Sequence, residues 1–453
     1  MCSAEREHVW VVGLDDFHER RLRTIRDAEQ YQFHSLLEPD RVVDPEGYSM
    51  KTLLRDAERQ LAETGVPVDG VICHWDFPTP SIVALMGRRF GLRTPPLEAT
   101  LRCEHKYWAR LVQRDTAPEL VPEFALVDPF AQGVERRMPL DPPFWLKPVK
   151  AFSSYLGFRI ETERDWADAI RRTRAGIGLM AEPFEEVLEE AGPIDDLPAV
   201  DGHHCIAEAI IGGDQFTLEG YAMDGEVRVY GVVDSVRAAN GSSFLRYDYP
   251  SHADDALRGR MIDATEGAMK AAGWDDGCFN IEFFHDPASG DLNILEINTR
   301  LSKSHCPLFE LAEGASHHEP AVEIATGRIP DFPRGSGAHG RAAKFMLRRF
   351  EDGIVAHITE GEALEELEAS LDGVHIRPAV RTGDRLSDLA AQDQDSYSHE
   401  LGVIFVGGED DAEIREKYLA ALDGLDVRWE DGRGDATREA APDPERGTQE
   451  APE

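Results

Sequence analysis

The sequence predicts a chain of several units in the α/β and α+β classes: a parallel α/β unit, a middle stretch mixing strands and helices, then a β-rich unit. Three observations predict it. Over residues 1–98 short apolar runs alternate with helical stretches, the signature of a parallel α/β domain. Between 203 and 298 short strand-like runs follow one another, punctuated by Gly and Asp turns and one helix. A Pro- and Gly-rich joint, RIPDFPRGSGAHG (328–340), then sets off 341–430. A chain of 453 residues exceeds what one compact core holds.

The elements follow in order. VWVVG (9–13) reads as a buried strand, DDFHERRLRTIRDAEQ as a helix, YQFHSLL as a strand and VDGVICHW (68–75) as another, with a helix near 80–90. The turn GLDDF lacks G-x-G-x-x-G, so no dinucleotide site is expected there. LEATLRCEHKYWARLVQR (97–114) reads as one helix, and PFWLKPVKAFSSYLGFRI (143–160) as strand, small-residue loop, strand. DDALRGRMIDATEGAMKAAG (254–273) is a helix ending in Gly. CFNIEFFHDPASGDLNILEIN (278–298) is a hairpin around DPASGD. The expected units are 1–98, a middle stretch over 99–327 and 341–430, with 431–453 a disordered acidic tail, since that stretch is polar and lacks apolar periodicity.

Bulk properties exclude several classes. A net charge of −38 disfavours a nucleic-acid partner. No apolar run reaches the length of a membrane helix, and the N-terminus lacks the basic start of a signal peptide, so a cytoplasmic protein is expected. The six cysteines form no C-x-x-C pair and read as free thiols. Of the 48 cationic residues only eight are lysines, so the positions of the lysines carry information.

The hairpin carries the chemistry. Residues two apart on a strand share a face, so Glu296 and Asn298 point the same way. A turn centred near Ser289 sets Glu282 opposite Glu296. Opposed carboxylates repel, and a divalent cation with oxygen ligands removes that repulsion. Arg300 stands at the strand exit. Lys147 opens the small-residue loop KPVKAFSSYLG, and Lys106 lies in the preceding helix, both suited to phosphate oxygens.

This ordered set, including AEAIIGGDQFTLEG and LEINTRLSKSH, resembles the ATP-grasp superfamily over about 100–310. The resemblance implies Mg-ATP held between two α+β subdomains, 99–205 and 206–327, preceded by a parallel α/β pre-ATP-grasp domain over 1–98. It implies that Lys106 and Lys147 contact phosphates and that the loop bearing Ser153 and Ser154 folds over them. Glu208, Ala209, Ile210 and Ile211 match the adenine hinge, and Gln215 falls where the family often has a ribose-binding acid. Glu282, Glu296 and Asn298 match the magnesium ligands, with Mn²⁺ an alternative ion. Arg300 and Lys147 match catalytic positions, and Ser302 and His305 are candidates for the substrate side.

Members of the family activate a carboxylate with ATP and let an amine attack the acyl phosphate. The third region is similar to that of bacterial L-amino-acid ligases and more distantly to biotin carboxylase. The expected substrates are therefore a small carboxylate and an amine, such as amino acids, and a homodimer is common among relatives. NTRLSKSHCP lacks the carboxylase Glu–His signature, leaving that activity and a non-catalytic nucleotide-binding module as alternatives. HWDFPTP (74–80) and RYDYPS (246–251), the latter read as a loop, are further ligand candidates. The adjacent His317 and His318 point apart and are not expected to share a metal.

Overall fold

A computed structural model describes residues 6–44, 47, 49–152, 155–238, 240–241, 243–389 and 398–432. Its first unit is a three-stranded parallel sheet, β1 (Glu7–Val12), β2 (Tyr31–Leu36) and β3 (Gly70–Cys73), ordered β2-β1-β3. Near-continuous apolar runs form these strands because helices cover a parallel sheet. The helices Met50–Thr64 and Thr79–Phe90 contribute Leu53, Leu54, Ile82 and Leu85 to its core. The stretch expected as one helix at 97–114 is two, Leu97–Glu104 and Lys106–Thr116. His105 has ψ near 100° and its side chain caps the second helix by accepting from the Trp108 amide, so no helical bond crosses it.

A four-stranded sheet follows: β4 (Phe124–Val127), β5 (Phe144–Pro148), β6 (Phe158–Ile160) and β7 (Cys205–Ala209), ordered β4-β7-β5-β6. The expected boundary at 205/206 thus cuts β7, which pairs with β4 and β5.

The large sheet has eight strands. Chain order gives β8 (Asp214–Met223), β9 (Glu226–Arg237), β10 (Phe244–Tyr249), β11 (Gly277–His285), β12 (Leu292–Asn298) and β13 (Arg341–Arg349). After β14 (Val355–His357) come β15 (Val374–Pro378) and β16 (His399–Gly408), and β17 (Arg428–Trp429) pairs with β14. Spatially the sheet runs β12-β11-β8-β9-β10-β13-β16-β15. RYDYPS is therefore mostly the end of β10 rather than a loop. The region 341–430 has its own core, including Phe345, Ile404 and Tyr418, yet its strands continue the sheet of the preceding unit. A second core joins Val9 and Phe17 of the first unit to Tyr230, Phe309 and Phe405.

The helix Asp255–Ala272 covers this sheet with Met261, Ala268 and Met269. Asp254 caps its start by accepting from the Leu257 amide at 2.7 Å, and Gly273 ends it at φ 73°, where a side chain would be strained. Among the described residues no helix is long and apolar enough to cross a membrane. Ser153, Ser154 and the tail from 433 onward lie outside the described residues.

Candidate active site

The β11–β12 hairpin has the expected register. Glu282 lies directly opposite Glu296 and Asn280 opposite Asn298, and a bulge after Glu282 absorbs one residue. Asn298 Nδ2 donates to Asn280 Oδ1 at 2.9 Å and to Glu282 Oε1 at 3.2 Å. Its Oδ1 is thereby left without a partner among the described residues, as is Glu296 Oε1. Burial and the facing charge of Glu296 push the Glu282 carboxyl up to about 7. Burial acts the same way on Glu296, but Lys106 and Lys147 outweigh it and hold that carboxyl at about 2. Two carboxylates and an amide oxygen make an all-oxygen donor set with one mutual repulsion unrelieved. Glu282, Glu296 and Asn298 therefore fit a hard divalent cation such as Mg²⁺.

Across from the hairpin stand the lysines. The Lys106 amide donates to Val149 O at 2.8 Å, docking the start of its helix beside the end of β5. From there Lys106 Nζ reaches Glu296 Oε2 at 3.0 Å. Lys147, on β5, meets Glu208 Oε2 at 2.5 Å, and Arg110 Nε meets Glu208 Oε1 at 2.5 Å. Burial would raise the Glu208 carboxyl; Arg110 and Lys147 overcome that and hold it near 2. Arg110 also donates to Ile294 O at 2.7 Å and Leu295 O at 2.8 Å, tying β7 to β12 through Glu208. Lys150 binds Glu104, which also accepts from Thr299.

Gln215 is engaged by neighbours. Its Nε2 donates to Glu282 Oε2 at 2.6 Å and its Oε1 accepts from Arg237 Nε at 2.5 Å, so its side chain orients the Glu282 carboxylate. Arg300 donates to Asp76 Oδ1 from Nε at 2.9 Å and from Nη2 at 2.7 Å. Asp76 follows β3 of the first unit, at the carboxyl end of a parallel sheet where ligand contacts gather. The Lys303 ammonium lies 3.3 Å from the centre of the Trp75 ring, and burial followed by repulsion from Lys344 and Arg300 lowers it to about 8. Ser302 and His305 stand beside it, with Glu219 behind His305.

One cavity of 2780 Å³ gathers these groups: Lys106, Lys147, Lys150, Glu208 to Ile211, Gln215, Glu282, Glu296, Asn298, Arg300 and Ser302 to His305. It exceeds a single drug-sized pocket several-fold and has room for a nucleotide and further substrates. Four of the eight lysines line it. Asp76 falls inside HWDFPTP and Lys150 inside KPVKAFSSYLG, whereas the sequence does not single out Arg110, Glu104, Arg237 or Glu219. Glu219 alone had a local signal, an acid inside the apolar strand QFTLEGYAM.

Structural comparison decides the fold. The L-amino acid ligase from Bacillus licheniformis superposes with a TM-score of 0.67 at 15% identity, covering 94% of this chain and 100% of that one. The chain has the ATP-grasp fold. Biotin carboxylase from Campylobacter jejuni superposes on it at 0.61 and 18% identity, covering 93% and 92%. An N5-carboxyaminoimidazole synthase from Aspergillus clavatus, solved with ADP and its ribonucleotide, gives 0.61 at 14%, covering 93% and 99%. The model of the carbamoyl-phosphate synthase L chain ATP-binding domain matches residues 249–329. Carbamoyl phosphate synthase large chains of two Xylella fastidiosa strains are 25% identical over 166 residues. That match spans 35% of this chain and 14% of those proteins.

A second cluster, Asp15, His18 and His74, comes within metal-binding reach. The His18 and His74 rings, however, stack at 4.1 Å and 28°, so their in-plane lone pairs run side by side instead of converging. Burial lowers both imidazoles, opposed at His18 by Asp15 and reinforced by repulsion from Lys303. His317 and His318 do point apart: His317 stacks on Phe309 and His318 turns to Cys306 and Ser316.

Proposed function

We propose that the protein is an ATP-dependent carboxylate–amine ligase working through an acyl phosphate. The observation that carries this reading is the cavity itself. A divalent-cation donor set faces paired lysines at one end, and Arg300 with a polar, cationic pocket lies at the other.

In this reading the backbone of Glu208 to Ile211 meets adenine, and Lys106 and Lys147 take the phosphates. Phosphate oxygens would replace Glu208 and Glu296 as partners of the two ammonium groups. Glu282, Glu296 and Asn298 would hold Mg²⁺, which neutralises charge as the γ-phosphoryl group moves. Arg300, kept in orientation by Asp76, offers a fork to the substrate carboxylate or the forming oxyanion. No protein nucleophile is needed, because water exclusion protects the intermediate. The likeness to the L-amino acid ligase supports amino acids as the substrate class, and Ser304 instead of an acid after Arg300 weighs against carboxylation. Five described cysteines are free thiols, consistent with a reducing cytoplasm.

The test is ADP release from Mg-ATP with pooled amino acids and small carboxylates, with and without hydroxylamine. Substrate-dependent ADP with a trapped hydroxamate is the expected result, and the hydroxamate mass names the acid. ADP released only with bicarbonate would replace this reading with a carboxylase. ATP binding without any ADP would replace it with a non-catalytic module.

A further inference from the structure

We infer that His305 and Glu219 form a base dyad, in which His305 takes the proton from the attacking amine and Glu219 positions His305. The inference rests on the ligase reading above. Glu219 lies in mid β8 and is fully buried. A carboxylate there needs hydrogen-bond donors. It has His305 Nδ1 at 2.8 Å and the Ser302 amide at 3.3 Å. His317 Nδ1 is also near, at 3.8 Å, but supplies no hydrogen bond. His317 Nε2 lies 2.8 Å from Ser302 O, which only accepts, so the proton of that imidazole is on Nε2. Its bare Nδ1 faces the Tyr230 hydroxyl at 3.4 Å. His305 is thus the one side-chain donor to Glu219 among the described residues.

This bond fixes the tautomer of His305. With Nδ1–H directed at Glu219, Nε2 carries the lone pair, and it has no hydrogen-bond partner among the described residues. His305 lines the cavity beside Arg300, Ser302 and Ser304. The Tyr247 ring meets its imidazole edge-on at 4.9 Å and restricts its rotation. An oriented imidazole with a free lone pair, backed by a buried carboxylate, is what deprotonation of an ammonium requires.

The step balances. The ammonium gives one proton to His305 Nε2. The freed lone pair bonds to the acyl carbon while the carbon–oxygen bond to phosphate breaks, phosphate leaving with the electron pair. A second proton passes from the same nitrogen to the departing phosphate. Charged groups around the dyad set its pH range. Lys344 and Arg300 face His305 and, after burial, lower it to about 3. Burial raises Glu219 to about 7, with His317, the Ser302 amide and Arg300 opposing in that order; Tyr230, Cys278 and Cys306 pack near it as neutral groups. Glu219 is ionised above that value, and an anionic acyl phosphate would offset Lys344 and Arg300. Amide formation should therefore rise with pH through about 7.

The experiment compares two acceptors on the same acyl phosphate, using Mg-ATP and pooled protein amino acids. Hydroxylamine is uncharged near neutrality and needs no base; an amino-acid ammonium does. In Glu219→Gln and His305→Gln the ratio of amide to hydroxamate is expected to fall at least about 100-fold, within the usual contribution of general base catalysis. In the unaltered protein the amide rate should climb between about pH 6.5 and 8.5 while hydroxamate stays level. That second measurement stands even where a variant does not fold. An unchanged ratio in both variants, or parallel pH profiles, would make the network purely structural and overturn the dyad. No hydroxamate from the unaltered protein would instead overturn the ligase reading, and the dyad with it.

Discussion

Replacing Glu282 with Gln should stabilise the metal-free protein at pH 8 and abolish its stabilisation by Mg²⁺. In the folded chain Glu282 is raised from 4.5 to about 7, by burial first and by Glu296 second. Because the folded value is raised, this group's contribution is fully present below the unfolded value and is lost as pH rises through about 7. At about 1.4 kcal/mol per pH unit the difference reaches about 3 kcal/mol. Glu282 is only partly buried and opens onto the cavity, so solvent screening reduces this to about 1–2 kcal/mol. A Gln amide at 282 can also donate to Glu296 across the ladder. The assay is thermal melting in EDTA at pH 5 and pH 8, then with Mg²⁺ and a non-hydrolysable ATP analogue. E282Q should melt a few degrees above the unaltered protein at pH 8, and the gap should close at pH 5. Mg²⁺ with nucleotide should raise only the unaltered protein further. A lower Tm for E282Q at pH 8, or an equal Mg²⁺ response, would refute the reasoning.

Three more outcomes follow from the same geometry. Lys147→Ala should raise the ATP Kd by about 10- to 100-fold, the range for a lost charge-assisted phosphate contact; calorimetry checks this, and an unchanged Kd removes Lys147 from the phosphate site. Glu208→Gln strips the counterion from Arg110 and Lys147 and should cost about 3 kcal/mol in denaturant unfolding. Asp76→Asn releases the Arg300 fork; hydroxamate formation should fall at least about tenfold, as for a misplaced orienting group, with ATP affinity nearly constant.

The facing of Glu282 and Glu296 is legible in the sequence because its information is local. Alternation across NIEFF and NILEIN fixes the faces, DPASGD fixes the turn, and Glu282 then falls opposite Glu296. The break at His105 was hidden because the apolar pattern runs on through it; the side-chain cap and the bond from Lys106 N to Val149 O end the first helix, and both depend on tertiary placement. Asp76 and Arg300 are 224 residues apart, and no periodicity connects them. Arg110 was lost among many arginines, whereas scarcity made Lys106 and Lys147 visible. The resemblance suggests a ribose contact for Gln215 by position; its bonds to Glu282 and Arg237 depend on a β8–β11 register that one strand's sequence does not encode.

The continuity of the large sheet bears on how this protein can be dissected. The joint at 328–340 looks like a place to cut, and composition alone would recommend it. A fragment ending there would present β10 as an open edge, since β13 is its neighbour, and would uncover Phe17, which stacks with Phe405 at 6.5 Å. Open edges beside bare apolar surface invite aggregation. Chimeras that seek new substrate preference should therefore exchange cavity-facing side chains such as Lys303, Ser304 and Tyr247 and leave the backbone whole.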